Sequence, residues 1–286
     1  MSGTFTELSI TADDELREHL VGILSQLGFE GFWEDDRELR CYIRSEHWND
    51  TLQEEIRRIV TTVQRNSLSA TPRFSVRTLE NRNWNEEWER TIRPIHVTDR
   101  IVVAPTWNPY TPRGNEIVLT IDPKMSFGTG YHETTRLVLR LMQDLLRSGM
   151  RVLDVGTGTG ILAIAAVRLG ATYAVGVDND EWSFANAMEN VRLNDVENSV
   201  RIVSGELTVL DDRDFDMIVA NIHRPVLEPL LPEIRKRLAP AGLVILSGLL
   251  SEDEAPMRQA LAQHGFSIVQ AVHENEWVAL AAQRLE

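Results

Sequence analysis

The chain has 286 residues, with 29 Lys and Arg against 43 Asp and Glu, seven His and one Cys, for a formal charge of −14. A hydrophobic share of 43% with 25% charged residues excludes a disordered chain, and the length accommodates two domains. Residues 1–78 carry 9 basic and 14 acidic groups, 79–116 carry 5 and 6, and 117–286 carry 15 and 23, so no segment is basic as a nucleic-acid binder usually is and a large RNA or DNA substrate is disfavoured, local patches apart, whereas a basic protein partner is electrostatically favoured.

Met1 to Glu7 has neither a basic segment nor an apolar stretch, so no signal peptide is expected. Phe5 to Ile10 alternates like a strand, and Asp13 to Leu27 has helical spacing through Leu16, Leu20, Ile23, Leu24 and Leu27 before Gly28. A hairpin follows around Asp35-Asp36, with Gly31–Glu34 and Leu39–Ile43 as its arms. Its Cys41, alone in the chain, can neither close an intramolecular disulfide nor build a cysteine-rich zinc site, which predicts a reducing compartment and no metal. Leu52, Ile56, Ile59, Val60 and Val63 mark a second helix, and Phe74 to Leu79 a strand. The order β-α-β-β-α-β is that of a small ferredoxin-like α+β domain over residues 1–80.

Asn83 to Arg90 is short, helical and rich in Trp and Glu, and opens a connector assigned to 81–114. Strands are predicted at Ile95–Val103 and Ile117–Ile121, with Pro105 to Gly114 as a loop, and a helix from Arg136 to Gly149. Apolar strands at Val152–Val155, Ala174–Val177, Val200–Val203, Met217–Ala220 and Leu243–Leu246 then alternate with helices at 160–169, 181–193, 226–238 and 252–264. That alternation predicts a mainly parallel sheet with helices on both faces. Phe266–Val272 and Trp277–Gln283 leave no room for a helix between them, so the last strand is antiparallel and the sheet seven-stranded. The longest apolar stretch, Ile161 to Val167, is far shorter than the ~20 residues of a bilayer span, so a soluble cytoplasmic protein is expected.

Val152 to Val155 runs into Gly156-Thr157-Gly158-Thr159-Gly160, a turn through which a ligand can approach the backbone. The spacing is not that of a dinucleotide fingerprint, whose third glycine would fall at Ile161, and no Lys-Ser or Lys-Thr follows as in a P-loop. Asp178 ends the next strand, placed to accept both hydroxyls of a ribose. The bland alternative is a strand-to-helix turn with a helix-capping Asp. Asn221 ends the fourth strand, in the crevice where doubly wound sheets bind ligands, and Asn221-Ile222-His223-Arg224-Pro225 has no aromatic residue to stack on a planar base. Asp122 to Thr135 reads as a glycine-kinked loop feeding a helix that starts near His132.

The glycine turn, ribose acid and reversed last strand resemble class I S-adenosylmethionine-dependent methyltransferases, whose Rossmann-like domain would span 115–286. Phe127-Gly128-Thr129-Gly130-x-His132-x-Thr134-Thr135, followed by Asp154-Val155-Gly156-Thr157-Gly158-Thr159-Gly160 and Asn221-Ile222, is similar to the ribosomal protein L11 methyltransferase family. The resemblance covers about residues 80–286, through Trp84, Trp88, Arg93-Pro94-Ile95 and Trp107 as well. It implies methyl transfer from S-adenosyl-L-methionine to lysine side chains or the N-terminal amine of L11, a basic protein of the large ribosomal subunit. It also implies that the first 80 residues recognise the substrate and swing about the connector.

By that resemblance the donor-binding positions are Thr135, Gly156, Asp178 and Asn221, joined by Gly158 and Gly160 in the turn and by Phe127, Gly128 and Thr129 in the loop. Asn221 is the catalytic candidate, orienting a neutral amine; no dedicated base is required, so His223 reads as a loop residue and His132 as a loop-fixing hydrogen-bond partner. A monomer without metal is expected. The chain departs from the family pattern at Tyr131, usually a smaller residue, at Glu133, usually Pro, and at His223-Arg224, usually an apolar residue with Ala. Two other readings remain open on the residues alone: a methyltransferase acting on RNA or a small molecule, and a donor-binding scaffold without turnover.

Overall fold

The structure is a computed structural model that describes residues 5–11, 20, 23–24, 27–29, 31–35, 38–64, 74–79, 92–124 and 126–285. It divides into two compact units, 1–90 and 91–286.

In the first unit, β1 (Phe5–Thr11), β2 (Gly31–Asp35), β3 (Glu38–Arg44) and β4 (Phe74–Leu79) form one sheet in the order β2-β3-β1-β4, every pair antiparallel. This is the ferredoxin-like order expected from the element sequence. Period-2 alternation sends Leu8, Ile10, Leu39, Cys41 and Ile43 to one face, where they pack with Ile56 of α1 (Asp50–Gln64) and with Leu20 and Leu24. Most of the helix expected at 13–27 lies outside the described residues; Leu20, Ile23 and Leu24 are helical. The helix expected at 83–90 lies outside them entirely.

The second unit opens with a three-stranded sheet of β5 (Ile95–His96), β6 (Ile101–Ala104) and β7 (Ile117–Thr120). The single strand expected over Ile95–Val103 is instead a tight hairpin. Thr98 Oγ1 accepts from Arg100 N at 3.1 Å and Ile101 N at 2.9 Å, turning the chain at the polar run Thr98-Asp99-Arg100. β6 then pairs parallel with β7. Val97, Ile101 and Val103 pack in one core with Leu119, Leu137 and Leu141, so residues 92–114, assigned above to the connector, belong physically to the second unit.

The large sheet has the order β10-β9-β8-β11-β12-β14-β13, built from β8 (Arg151–Val155), β9 (Tyr173–Asp178), β10 (Val200–Ser204), β11 (Phe215–Asn221), β12 (Leu238–Leu250), β13 (Phe266–Glu274) and β14 (Trp277–Arg284). The first five are parallel and β14 pairs antiparallel with β12 and β13. Burial on both faces explains the apolar runs. Val152, Met217 and Val219 face one core with α2 (Glu133–Leu145), α3 (Ile161–Arg168) and α4 (Glu181–Leu193). Leu153, Ile218 and Ala220 face the other, with α5 (Arg224–Arg237) and α6 (Glu254–Gln263). α2 begins at Glu133 rather than Arg136, because His132 accepts a hydrogen bond from Thr134 N and caps it. No helix among the described residues is long and apolar enough to cross a membrane.

Candidate active site

The carboxyl ends of β8, β9 and β11 define the crevice. β8 delivers Asp154, fully buried, whose Oδ2 accepts from Thr157 Oγ1 at 2.6 Å and Ala163 N at 3.2 Å, while Oδ1 has no hydrogen-bond partner. Burial pushes its carboxyl up to about 7, against the pull of those two donors, and the Asp178 charge adds to the rise.

Gly156, Gly158 and Gly160 all have positive φ, of 71°, 55° and 83°. Gly158 shows why no side chain is tolerated: a Cβ there would lie 2.3 Å from Phe127 O. One at Gly156 would lie 2.8 Å from Ile222 Cδ1. The turn is therefore gripped from both sides, by the 122–131 loop and by the segment after β11. Gly160 caps α3, and Gly156 N and Thr157 N donate to Val177 O at 2.9 and 3.1 Å, tying the turn to β9. The half-buried Asp178 carboxylate accepts from Gly158 N at 2.8 Å and Asp180 N at 3.1 Å, leaving lone pairs for a ligand.

Phe127 O accepts from Thr159 N at 2.9 Å and Gly128 O from Thr159 Oγ1 at 2.7 Å, so the loop backbone lies on the glycine turn while Phe127 as a residue is 53% exposed. Thr129 Oγ1 accepts from Tyr131 N at 3.1 Å. On the other side, Asn221 Nδ2 donates to the fully buried Thr135 Oγ1 at 3.3 Å, and Asn221 Oδ1 is buried with no partner. Ser247, paired in register with Asn221, donates through Oγ to Thr134 O at 3.2 Å. The residues singled out in the sequence thus form two groups, Phe127, Gly128, Gly158 and Asp178 on one and Thr135 and Asn221 on the other, with Gly156 between. Asp178 and Asn221 end strands separated by β8, two strand spacings or about 10 Å apart.

His223 is exposed and precedes α5 without a side-chain cap. Arg224 turns to Asp253 Oδ1 at 2.7 Å and Glu228 Oε2 at 3.3 Å. Trp84 and Trp88 lie outside the described residues. Among the described residues, no group of His, Cys, Asp and Glu is arranged to hold a metal.

Sequence reasoning missed an asparagine ladder on α4. Asn190 Oδ1 accepts from Asp122 N at 2.9 Å while its Nδ2 donates to Thr159 O at 2.9 Å and Asp122 O at 3.3 Å. Asn194 exchanges bonds with Thr120 N and O at 2.9 and 2.7 Å, and Asn186 Nδ2 donates to Asp122 O at 2.9 Å. Four helix residues rise about 6.0 Å and two extended residues about 6.6 Å, so Asn190 and Asn194 meet Asp122 and Thr120 in step, while Asn186 shares Asp122 with Asn190. The recurrence of Asn at 186, 190 and 194 was the available signal. The Asp122 carboxylate in turn accepts from Thr106 N and Oγ1 at 2.8 and 2.7 Å.

The sequence profile of the ribosomal protein L11 methyltransferase (PrmA) family matches residues 4–285. The chain belongs to that family. Curated relatives of that name include one from Chlorobaculum tepidum, 38% identical over 96% of this chain and 94% of its own length, and one from Listeria monocytogenes serotype 4b, 33% identical over 94% and 86%. A solved ribosomal protein L11 methylase from Lactobacillus delbrueckii subsp. bulgaricus, 33% identical, superposes with a TM-score of 0.64 over 68% of this chain and all of its own. Like the rest of the family, the chain is a methyltransferase whose methyl donor is S-adenosyl-L-methionine. The crevice suits that donor: a glycine cradle that a Cβ would fill, a carboxylate with free lone pairs at one end and an unpartnered amide oxygen at the other.

Proposed function

We propose that this chain methylates lysine side-chain or N-terminal amines of ribosomal protein L11, with Asp178 and the Gly156–Gly160 turn holding the donor and Asn221 orienting the amine. When bound, S-adenosyl-L-methionine supplies an electrophilic methyl group for a one-step in-line displacement, so the protein's task is to position the reactants and exclude water. Asp178 has lone pairs for the ribose hydroxyls, and the loop of Phe127, Gly128 and Thr129 covers the turn. The observation that carries the reading is the Asn221 amide: its NH2 end is held by Thr135, and its buried oxygen is an acceptor that no group of the chain uses.

That acceptor takes a hydrogen bond from a neutral amine and leaves the nitrogen lone pair directed at the methyl group. A free lysine, with a pKa of about 10.4, is largely protonated at neutrality. Desolvation in the crevice and a nearby positive sulfonium both favour the neutral form, so no general base is assigned. The small first unit serves as the substrate-recognition domain, and the acidic chain complements a basic ribosomal protein. The setting is a reducing cytoplasm, consistent with a buried Cys41 whose thiol burial pushes up to about 12.

The test is to incubate the protein with labelled donor and separated ribosomal protein and RNA fractions, then locate the label by mass spectrometry. Label on lysine or N-terminal amines of L11 supports the reading. Label in RNA with the ribosomal proteins bare overturns it.

A further inference from the structure

Tyr131 and Glu133 flank His132, and both are engaged. The Tyr131 hydroxyl donates to the Arg93 carbonyl, and Glu133 Oε1 accepts from Asn275 Nδ2 at 3.1 Å. The His132 ring stands between Phe127, at 5.4 Å between centroids, and Trp277, at 4.9 Å and edge-on. One turn along α2, Arg136 Nε donates to Glu274 Oε1 at 2.9 Å and another guanidinium nitrogen to the Tyr131 carbonyl, while Arg140 reaches Glu274 Oε2 at 2.7 Å. Four side chains of α2 and its N-cap therefore converge on Glu274, Asn275 and Trp277, in and beside the turn between β13 and β14.

Strand register puts that turn beside the site. Trp277 pairs with Leu250 at the carboxyl end of β12, the sheet edge on which Ser247 pairs with Asn221. Both halves of the crevice hang on the same helix start. Phe127, which His132 flanks, lies with its carbonyl on the Gly158–Thr159 backbone, and Gly158 N in turn binds Asp178. Thr135, in the first turn that His132 caps, holds Asn221.

We propose that the β13–β14 turn is a third support of the donor pocket, acting through His132 and Trp277 as positioning residues for methyl transfer. This rests on the donor-site reading above. The cap and the ring of His132 are separable, because Asn is as good an N-cap but has no ring, and Phe has the ring without the cap. Donor dissociation constants from calorimetry, without any polypeptide substrate, are compared with melting temperatures for His132→Asn, His132→Phe, Trp277→Leu and the double variant His132→Asn/Trp277→Leu.

Loss of the ring contact is expected to weaken donor binding roughly tenfold in His132→Asn and in Trp277→Leu, and about as much in the double variant, because each removes the same aromatic pair. His132→Phe should stay within about threefold of wild type. Asn275→Gly, which suits the positive φ of 52° at that position and deletes the amide bonded to Glu133, guards against misfolding and should weaken the donor about threefold with little change in melting temperature. Unchanged donor affinity in His132→Asn and Asn275→Gly, with only a lower melting temperature, would overturn the proposal, as would penalties that multiply in the double variant. Asp178→Ala is the control for the underlying reading: retained donor binding there means that the donor site, rather than its support, has been misassigned.

Discussion

At Asn221 the two ends of one amide do different work. Nδ2 is bound to Thr135 Oγ1 and Oδ1 is buried without a partner; under the proposed function that oxygen is the acceptor for the substrate amine. Asn221→Ala is expected to lower kcat about 10²-fold, the scale of losing one oriented polar contact in a displacement that depends on positioning. A single-turnover rate within about twofold of wild type would remove Asn221 from this role. Asp154 makes a prediction of a different kind. Its carboxyl rises from 3.8 to about 7 on burial, so an unfolded chain releases that proton at a lower pH than the native protein does. The stability it contributes is complete below about pH 4 and is lost as pH rises to about 7. Asp154→Asn should therefore gain stability relative to wild type across that interval, measured by denaturant unfolding at several pH values. Parallel pH profiles for the two proteins would contradict the shift.

Among the elements, α4 does the least expected work. Its buried Asn190 meets both the N–H and the C=O of Asp122 and also the Thr159 carbonyl, joining the start of the 122–131 loop to the glycine turn. Asn190→Ala strands those backbone groups away from water, and the expected cost is about 2–4 kcal/mol by urea denaturation, with weaker donor binding as the loop loosens. A cost below about 1 kcal/mol would mean that water replaces the amide. The element boundaries show how far periodicity reaches. β8 to β14 and their helices were legible because strands buried on both faces read as unbroken apolar runs. The Ile95–Val103 segment was not, because Thr98 stabilises a turn through two side-chain-to-backbone bonds inside an otherwise strand-like run.

For the molecule as a whole, charge and contact set different properties. The acidic excess is distributed over both units, so it attracts a basic polypeptide without marking a docking face. Raising salt from about 50 to 500 mM shortens the Debye length from roughly 14 to 4 Å and should raise the KM for the polypeptide severalfold. The donor dissociation constant should move far less, because the proposed donor site is a partly buried crevice, where salt screens little. A salt-independent polypeptide KM would remove electrostatics from substrate association.

The sequence by itself determined the two-unit α/β organisation, the glycine turn with Asp178 at the end of the next strand, and the loop that carries the family pattern. Each of these is written in local spacing, which period-2 and period-3.6 burial and the demand for glycine at positive φ impose directly. It did not reveal that Phe127 O rests on Gly158, that Thr135 holds Asn221, or that the start of α2 is tied to the β13–β14 turn by contacts up to 142 residues apart in sequence. Those pairings depend on strand order and register, which place the ends of β8, β9, β11 and β12 and the β13–β14 turn along one edge of the sheet. Residues far apart in the chain become neighbours only when parallel strands share a carboxyl edge, and spacing along the sequence carries no record of that.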